Sequence, residues 1–124
     1  MLSTSKLIAF ASSADLPKAR TFYEDVLSIP LVEQNPNACV FNANGIMLRI
    51  TAVPEVAHPG YTVLGWQVTD IRQAISQLES RGVVFSRYDG LEQDSSGVWT
   101  TPNGDHIAWF TDPDGNVLSL TEFG

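Results

Sequence analysis

The side chains able to do chemistry in this chain are few and scattered. It holds two histidines, His58 and His106, and a single cysteine, Cys39. A divalent metal could be held by His58, His106, Asp105 or Glu122, but no pair of these stands at the short spacing that puts two ligands on one element. Cys39 lies in Asn37-Ala38-Cys39-Val40-Phe41, where no neighbour would stabilise a thiolate, so it reads as core filling rather than as a nucleophile. Asp112 and Asp114 are close together, yet turn formation accounts for both. No nucleophile–base pair, glycine-rich phosphate cradle or supported pair of carboxylates is present.

The elements that must position any site are easier to read. His106 to Thr111 and Asn116 to Thr121 are expected as strands around the turn Asp112-Pro113-Asp114-Gly115. Proline presets φ for the second turn position and glycine accepts a positive φ. If Thr111 pairs with Asn116, one face of the hairpin is Ile107, Trp109, Leu118 and Leu120, suited to packing under a helix. The other is His106, Ala108, Phe110, Val117, Ser119 and Thr121, smaller and mixed.

Upstream, Leu7 to Ala11 reads as a buried strand and Asp15 as the N-cap of a helix with Pro17 in its first turn. Leu16, Ala19, Phe22, Tyr23, Val26 and Leu27 form that helix's apolar stripe. Leu31 to Glu33, Ala38 to Phe41 and Ile46 to Thr51 follow as strands, the last two around Asn42-Ala43-Asn44-Gly45. Val53 to Tyr61, with Pro54, Pro59 and Gly60, is a connector holding His58. The pattern then restarts. Thr62 to Val68 is a strand, Asp70 and Gln73 form a capping box, and Ile71, Ala74, Ile75 and Leu78 make a second stripe ended by Gly82. Val83 to Arg87 is expected as a strand, Tyr88 to Ser96 as a polar loop, and Val98 to Thr101 as extended chain.

Strand, helix and three strands are thus repeated, and Asn44-Gly45 with Leu48-Arg49-Ile50 aligns on Asp114-Gly115 with Leu118-Ser119-Leu120. The expectation is one α+β domain over 1–124, built from βαβββ modules 1–53 and 61–124 in a curved, roughly eight-stranded mixed sheet that encloses a cleft. A chain of 124 residues is too short for two independent domains. A net charge of −7 disfavours nucleic acid and anionic membranes as partners. No stretch is long enough to span a bilayer, no signal peptide is recognisable, and the lone cysteine fits a reducing, cytoplasmic setting.

With Phe22-Tyr23-Glu24-Asp25-Val26-Leu27, Val68-Thr69-Asp70 and Trp109-Phe110-Thr111-Asp112-Pro113-Asp114-Gly115-Asn116, the chain resembles the vicinal oxygen chelate superfamily along essentially its whole length. That group includes glyoxalase I, extradiol dioxygenases, fosfomycin-resistance enzymes and bleomycin-binding proteins. The resemblance implies the fold, a homodimer and a small organic molecule in the cleft. Its function is less determined, because one scaffold hosts many activities. In the enzymes a divalent ion takes one ligand from each of four equivalent strand positions, which here carry Ile8, Arg49, Val63 and Ser119. Isoleucine and valine have no lone pairs, arginine repels a cation, and serine is a feeble ligand. The resemblance therefore implies a member without the usual metal site and with no cofactor.

In a register of that kind Arg49 and Ser119 face the cleft. Arg49 suits a carboxylate, enolate or phosphonate held bidentately; the alternative is an ion pair within the chain or a head reaching solvent. His106 is either a base or ligand contact, or a hydrogen-bonded residue near a strand end. Gln67 alternates with Val63 and Gly65 and either donates to a ligand or ties down a strand, while Trp99 forms an aromatic wall or lid or simply packs. Trp66 and Trp109 are read as core and Glu122 as a solvated charge. The leading expectation is metal-independent binding of a small organic molecule. Its rivals are a lyase, isomerase or dioxygenase whose metal is relocated or absent, and a vestigial dimerisation module.

Overall fold

Each helix begins where an aspartate can cap it. In the computed structural model, which describes residues 1–124, Asp15 Oδ1 accepts the Lys18 N–H at 3.2 Å and Asp70 Oδ1 accepts the Gln73 N–H at 3.1 Å. The side-chain oxygens satisfy donors that a helix start leaves without an intrahelical partner. The chain divides into two compact units, 1–58 with 113–116, and 59–112 with 117–124.

The first unit runs β1 (Ile8–Ser13), α1 (Leu16–Thr21), β2 (Leu31–Asn35), β3 (Ala38–Ala43) and β4 (Ile46–Ala52). Its sheet has the order β1-β4-β3-β2, with β1 parallel to β4 and the other pairs antiparallel. After α1 the backbone widens into a π-helical turn over Phe22–Val26, closed by Leu27 N–H to Phe22 O at 3.0 Å. Ala19 and Tyr23 are fully buried on the sheet side, with Tyr23 5.7 Å from Phe41 between ring centroids. That face of the sheet is Cys39, Phe41, Leu48 and Ile50, all buried. Burial pushes the Cys39 thiol above its ordinary pKa, against the weaker pull of Arg20. Between β3 and β4, Asn44 and Gly45 take φ of 52° and 90°. Two consecutive positive φ values make the two-residue turn whose twist matches a hairpin.

The second unit runs β5 (Leu64–Gln67), α2 (Ile71–Glu79), β6 (Trp99–Thr100), β7 (His106–Thr111) and β8 (Val117–Glu122), in the sheet order β5-β8-β7-β6. Its connectivity repeats that of the first, with β5 parallel to β8. Ile71 and Ile75 of α2 are buried, as are Phe85, Ala108, Phe110, Leu118 and Leu120. The α+β class and the duplicated βαβββ order are those read from the sequence, with the strands distributed over two four-stranded mixed sheets.

Three local expectations fail. The strand expected to be buried over Leu7 to Ala11 leaves Leu7, Ile8 and Phe10 exposed, because only one face of β1 packs under α1. Val83–Arg87 is not a strand: Val83 and Phe85 are buried and Val84 is exposed, as in a strand, but the segment joins no ladder, its backbone bonds being Val83 N–H to Leu78 O at 3.1 Å and Ser86 N–H to Trp109 O at 2.7 Å. The hairpin register is also one residue off, since Thr111 pairs with Val117 and not with Asn116. Asn116 leaves the ladder because its Nδ2 donates to Ser12 O at 2.8 Å, and it is buried there. The loop thus holds five residues, Asp112 to Asn116, between the paired ends.

Candidate functional site

The register places the site residues. In the first unit Ile8 opposes Met47, Phe10 opposes Arg49, and Arg49 opposes Val40. Strand alternation puts Ile8, Phe10, Met47, Arg49 and Val40 on one face, away from α1. Ile8, Phe10 and Met47 are 44%, 58% and 43% exposed, an unusual amount of apolar surface for adjoining strand positions. Arg49 is half-buried among them. It takes part in neither of the two ion pairs, Arg20–Glu24 and Arg72–Asp94, and no side chain of the protein hydrogen-bonds its guanidinium.

In the second unit Gly65 pairs with Ser119, which pairs with Trp109, while Gln67 pairs with Thr121, which pairs with Ile107 and so with Trp99. Gln67, Ser119 and Trp99 therefore share the face away from α2, with Trp109 added to them. Trp109 is not core as expected from the sequence: it is half-buried, edge-on to Tyr88 at 5.5 Å and tilted against Trp99 at 6.2 Å between ring centroids. Both ring geometries are favourable for aromatic pairs. Trp66, opposite Leu120, lies on the helix side. The Ser119 side chain is buried and makes no hydrogen bond within the chain.

His106 belongs elsewhere. The one-residue shift pairs it with Glu122, on the face of Ala108, Phe110 and Leu120, rather than beside Ser119 and Thr121. Its Nδ1 lies 2.9 Å from Thr100 Oγ1. Glu122 is not a solvated charge, because its Oε1 accepts the Ile71 N–H at 2.9 Å and supplies a second cap to α2. That contact takes the donor next to Asp70, and it joins residues 51 positions apart, which no sequence pattern could have signalled.

The loop before Trp99 is pinned. Gln93 Nε2 donates to Ser86 O and Gly97 O at 3.0 and 2.8 Å, and its Oε1 accepts the Tyr88 N–H at 2.8 Å. Asp94 Oδ1 accepts the N–H groups of Ser96 and Val98 at 2.9 and 3.0 Å, and its Oδ2 meets Arg72 Nη2 at 2.6 Å. Burial pushes the Asp94 pKa up, but the Val98 bond, Arg72 and the Ser96 bond together hold it below the ordinary aspartate range. Trp99 follows this braced loop, bridges to Gln93 and packs against Trp109.

The residues do not fit the divalent ion of the family's enzymes. Ile8 and Arg49 share a face of the first unit, and Val63, whose N–H bonds Val117 O at 2.9 Å, precedes the Gly65–Ser119 pair in the second. The two halves correspond, but the donors are missing. No group of three or more His, Cys, Asp or Glu side chains comes together anywhere in the chain. The alternative donors are engaged: His58 Nε2 lies 2.9 Å from Asp114 O, and Asp105 Oδ1 accepts the Gly124 N–H at 3.0 Å. No helix is long and apolar enough to cross a membrane.

Comparison with known proteins places this geometry. The family model "Glyoxalase/Bleomycin resistance protein/Dioxygenase superfamily" matches residues 9–120. Among solved structures, a member of that superfamily from Sphaerobacter thermophilus DSM 20745 is 25% identical, with a TM-score of 0.70 over 94% of this chain and 96% of that one. The genomically encoded fosfomycin resistance protein FosX from Listeria monocytogenes has a TM-score of 0.77 at 13% identity, covering 98% and 94% of the two chains. Lactoylglutathione lyase from Agrobacterium tumefaciens has a TM-score of 0.73 at 17% identity, covering 95% and 93%. The likeness to the last two is one of fold. A comparison with proteins of curated function finds no match.

Proposed function

The chain belongs to the glyoxalase/bleomycin resistance protein/dioxygenase superfamily, and on that premise we propose that it binds a small organic anion without a metal ion, using Arg49 as the anchor. One observation carries this reading: a half-buried guanidinium on an apolar face, with no carboxylate of the chain paired to it. Such a group has lost part of its hydration without gaining a counter-charge. A planar carboxylate, enolate or phosphonate would restore both, through two parallel charge-assisted hydrogen bonds. Phe10 and Val40 on the adjoining strands would flank the body of the ligand. Chelation has no part in this reading, since the four equivalent positions offer no donor set.

The test is thermal unfolding against a panel of organic carboxylates and phosphonates, with and without Ni²⁺, Zn²⁺, Mn²⁺ or Fe²⁺. A ligand at a hundred times its dissociation constant stabilises the folded state by about 2.7 kcal/mol, or roughly 8–14 °C at this chain length. The shift should need no metal, vanish in Arg49→Ala, and weaken in Arg49→Lys, which cannot form the fork. A shift that appears only with added metal would favour a metalloenzyme, and one that survives Arg49→Ala intact would remove Arg49 as anchor. A homodimer is part of the proposal, with sedimentation velocity as its check.

A further inference from the structure

A groove of about 370 Å³ lies in the first unit, beside the β3–β4 turn, and Arg49 is not among the residues that line it. It crosses the sheet along the rung Ile8–Met47–Asn42, with Val32 and Val40 also on its lining. Its volume falls in the range of small-molecule sites, roughly 300–1,000 Å³. Ile8, Met47 and Val32 are exposed, so apolar side chains stand in water at a concave place.

The polar part of the lining has one sign. Lys6 is the single ionisable side chain there, exposed and in neither ion pair of the chain. Asn42 Oδ1 accepts the Gly45 N–H at 2.7 Å, which fixes the amide, and its NH₂ can donate to a ligand. No carboxylate lines the groove, although acidic residues outnumber basic ones 14 to 7 in the chain. An apolar trough whose one charged lining group is a cation is complementary to a hydrocarbon tail with an anionic head.

We propose that this groove is a binding site for a free, medium-chain aliphatic carboxylate, its chain against Ile8, Val32 and Met47 and its head on Lys6 Nζ. Arg49 does not line the groove but sits one rung further along β4 on the same face, about 7 Å away, and Val40 borders both, so the two sites adjoin and differ in the cation that takes the head.

The chain has two methionines, Met1 and Met47, so protein labelled with ¹³C at the methionine methyl groups gives one reporter inside the groove and one outside it. Titration with monomeric sodium octanoate, below its micelle concentration, should move the Met47 signal saturably and leave Met1 in place. Lys6→Gln should weaken binding by about two- to fivefold, the range of a partly exposed ion pair, and Lys6→Glu by more. Lys6 is exposed, so both variants should fold; loss of the Met47 response in Arg49→Ala with Lys6→Glu unchanged would put octanoate on the Arg49 anchor and overturn the assignment to this groove. Octylammonium and octanol should move Met47 much less. The assignment is overturned if Met47 is unmoved by millimolar octanoate, if the three head groups act equally, or if Lys6→Glu changes nothing. It is equally overturned if Met47 responds only to anionic lipid vesicles, or to protein concentration alone, which would make the occupant a membrane or a second copy.

Discussion

Replacing Gly65 with alanine should destabilise the protein when residue 119 is serine and stabilise it when residue 119 is alanine. A Cβ at Gly65 would sit 2.8 Å from Ser119 Oγ, nearer than real contacts of that kind, while the next atom, Ser119 O, is at an ordinary 3.7 Å. The backbone of Gly65 is outside the left-handed region, so conformation alone does not forbid alanine. Two effects of opposite sign then compete. Overpacking costs typically about 1–3 kcal/mol, and the low end applies if the Ser119 hydroxyl swings to another staggered rotamer. Removing the glycine's freedom in the unfolded chain returns about 0.4–1 kcal/mol. The net expectation is a loss of roughly 0–2.6 kcal/mol, by difference of those two terms. Ser119→Ala deletes the one close atom, and the hydroxyl it removes makes no hydrogen bond within the chain. In that background the clash disappears and a gain of about 0.4–1 kcal/mol is left. Urea denaturation of the wild type, both single variants and the double variant measures the coupling directly, provided two probes give coincident transitions. Equal effects of Gly65→Ala in the two backgrounds would refute the reasoning, and so would stabilisation with serine present.

Further expectations concern the second helix, the braced loop and the first hairpin. Glu122→Ala should cost about 1 kcal/mol in the same urea assay, the usual value of a helix cap, with Glu122→Gln intermediate because an amide oxygen can still accept the Ile71 N–H. Asp94→Asn should destabilise the protein at neutral pH. A folded pKa held below the unfolded value of about 3.9 gives stability that is complete above that value and fades as pH falls through the lowered folded one. The wild-type and Asp94→Asn unfolding midpoints should therefore converge on acidification, and a constant gap would count against the assigned bonds. Gly45→Ala, at φ +90°, should cost about 1–2 kcal/mol, read as a lowered urea midpoint at unchanged slope.

Helix starts, the tight turn at Asn44-Gly45 and the duplication were legible because each is encoded within a few residues. Counting back from Asp15 and Asp70 lands on Ile8 and Val63, which occupy corresponding places in the two halves. Arg49 sits beside Phe10, and Gln67, Ser119 and Trp99 share a face, but His106 does not join them. Trp109 was missed for the same reason that His106 was misplaced, whereas Tyr88 comes from the loop before β6 and meets Trp109 only through folding. A strand alternates with period two, so one extra residue in the loop exchanges the two faces of β8 relative to β7. The groove beside Lys6 had no local signal at all, because its lining comes from four strands.

By itself, the order of residues determined what each segment could be: which stretches alternate, and where caps and turns fall. Tertiary structure decided which way the side chains of the hairpin point. Asn116 could have ended the ladder or left it, and the choice was made by its bond to Ser12 O, 104 residues away. Local propensity has no access to a partner at that separation. The identity of the site's neighbours therefore followed from folding.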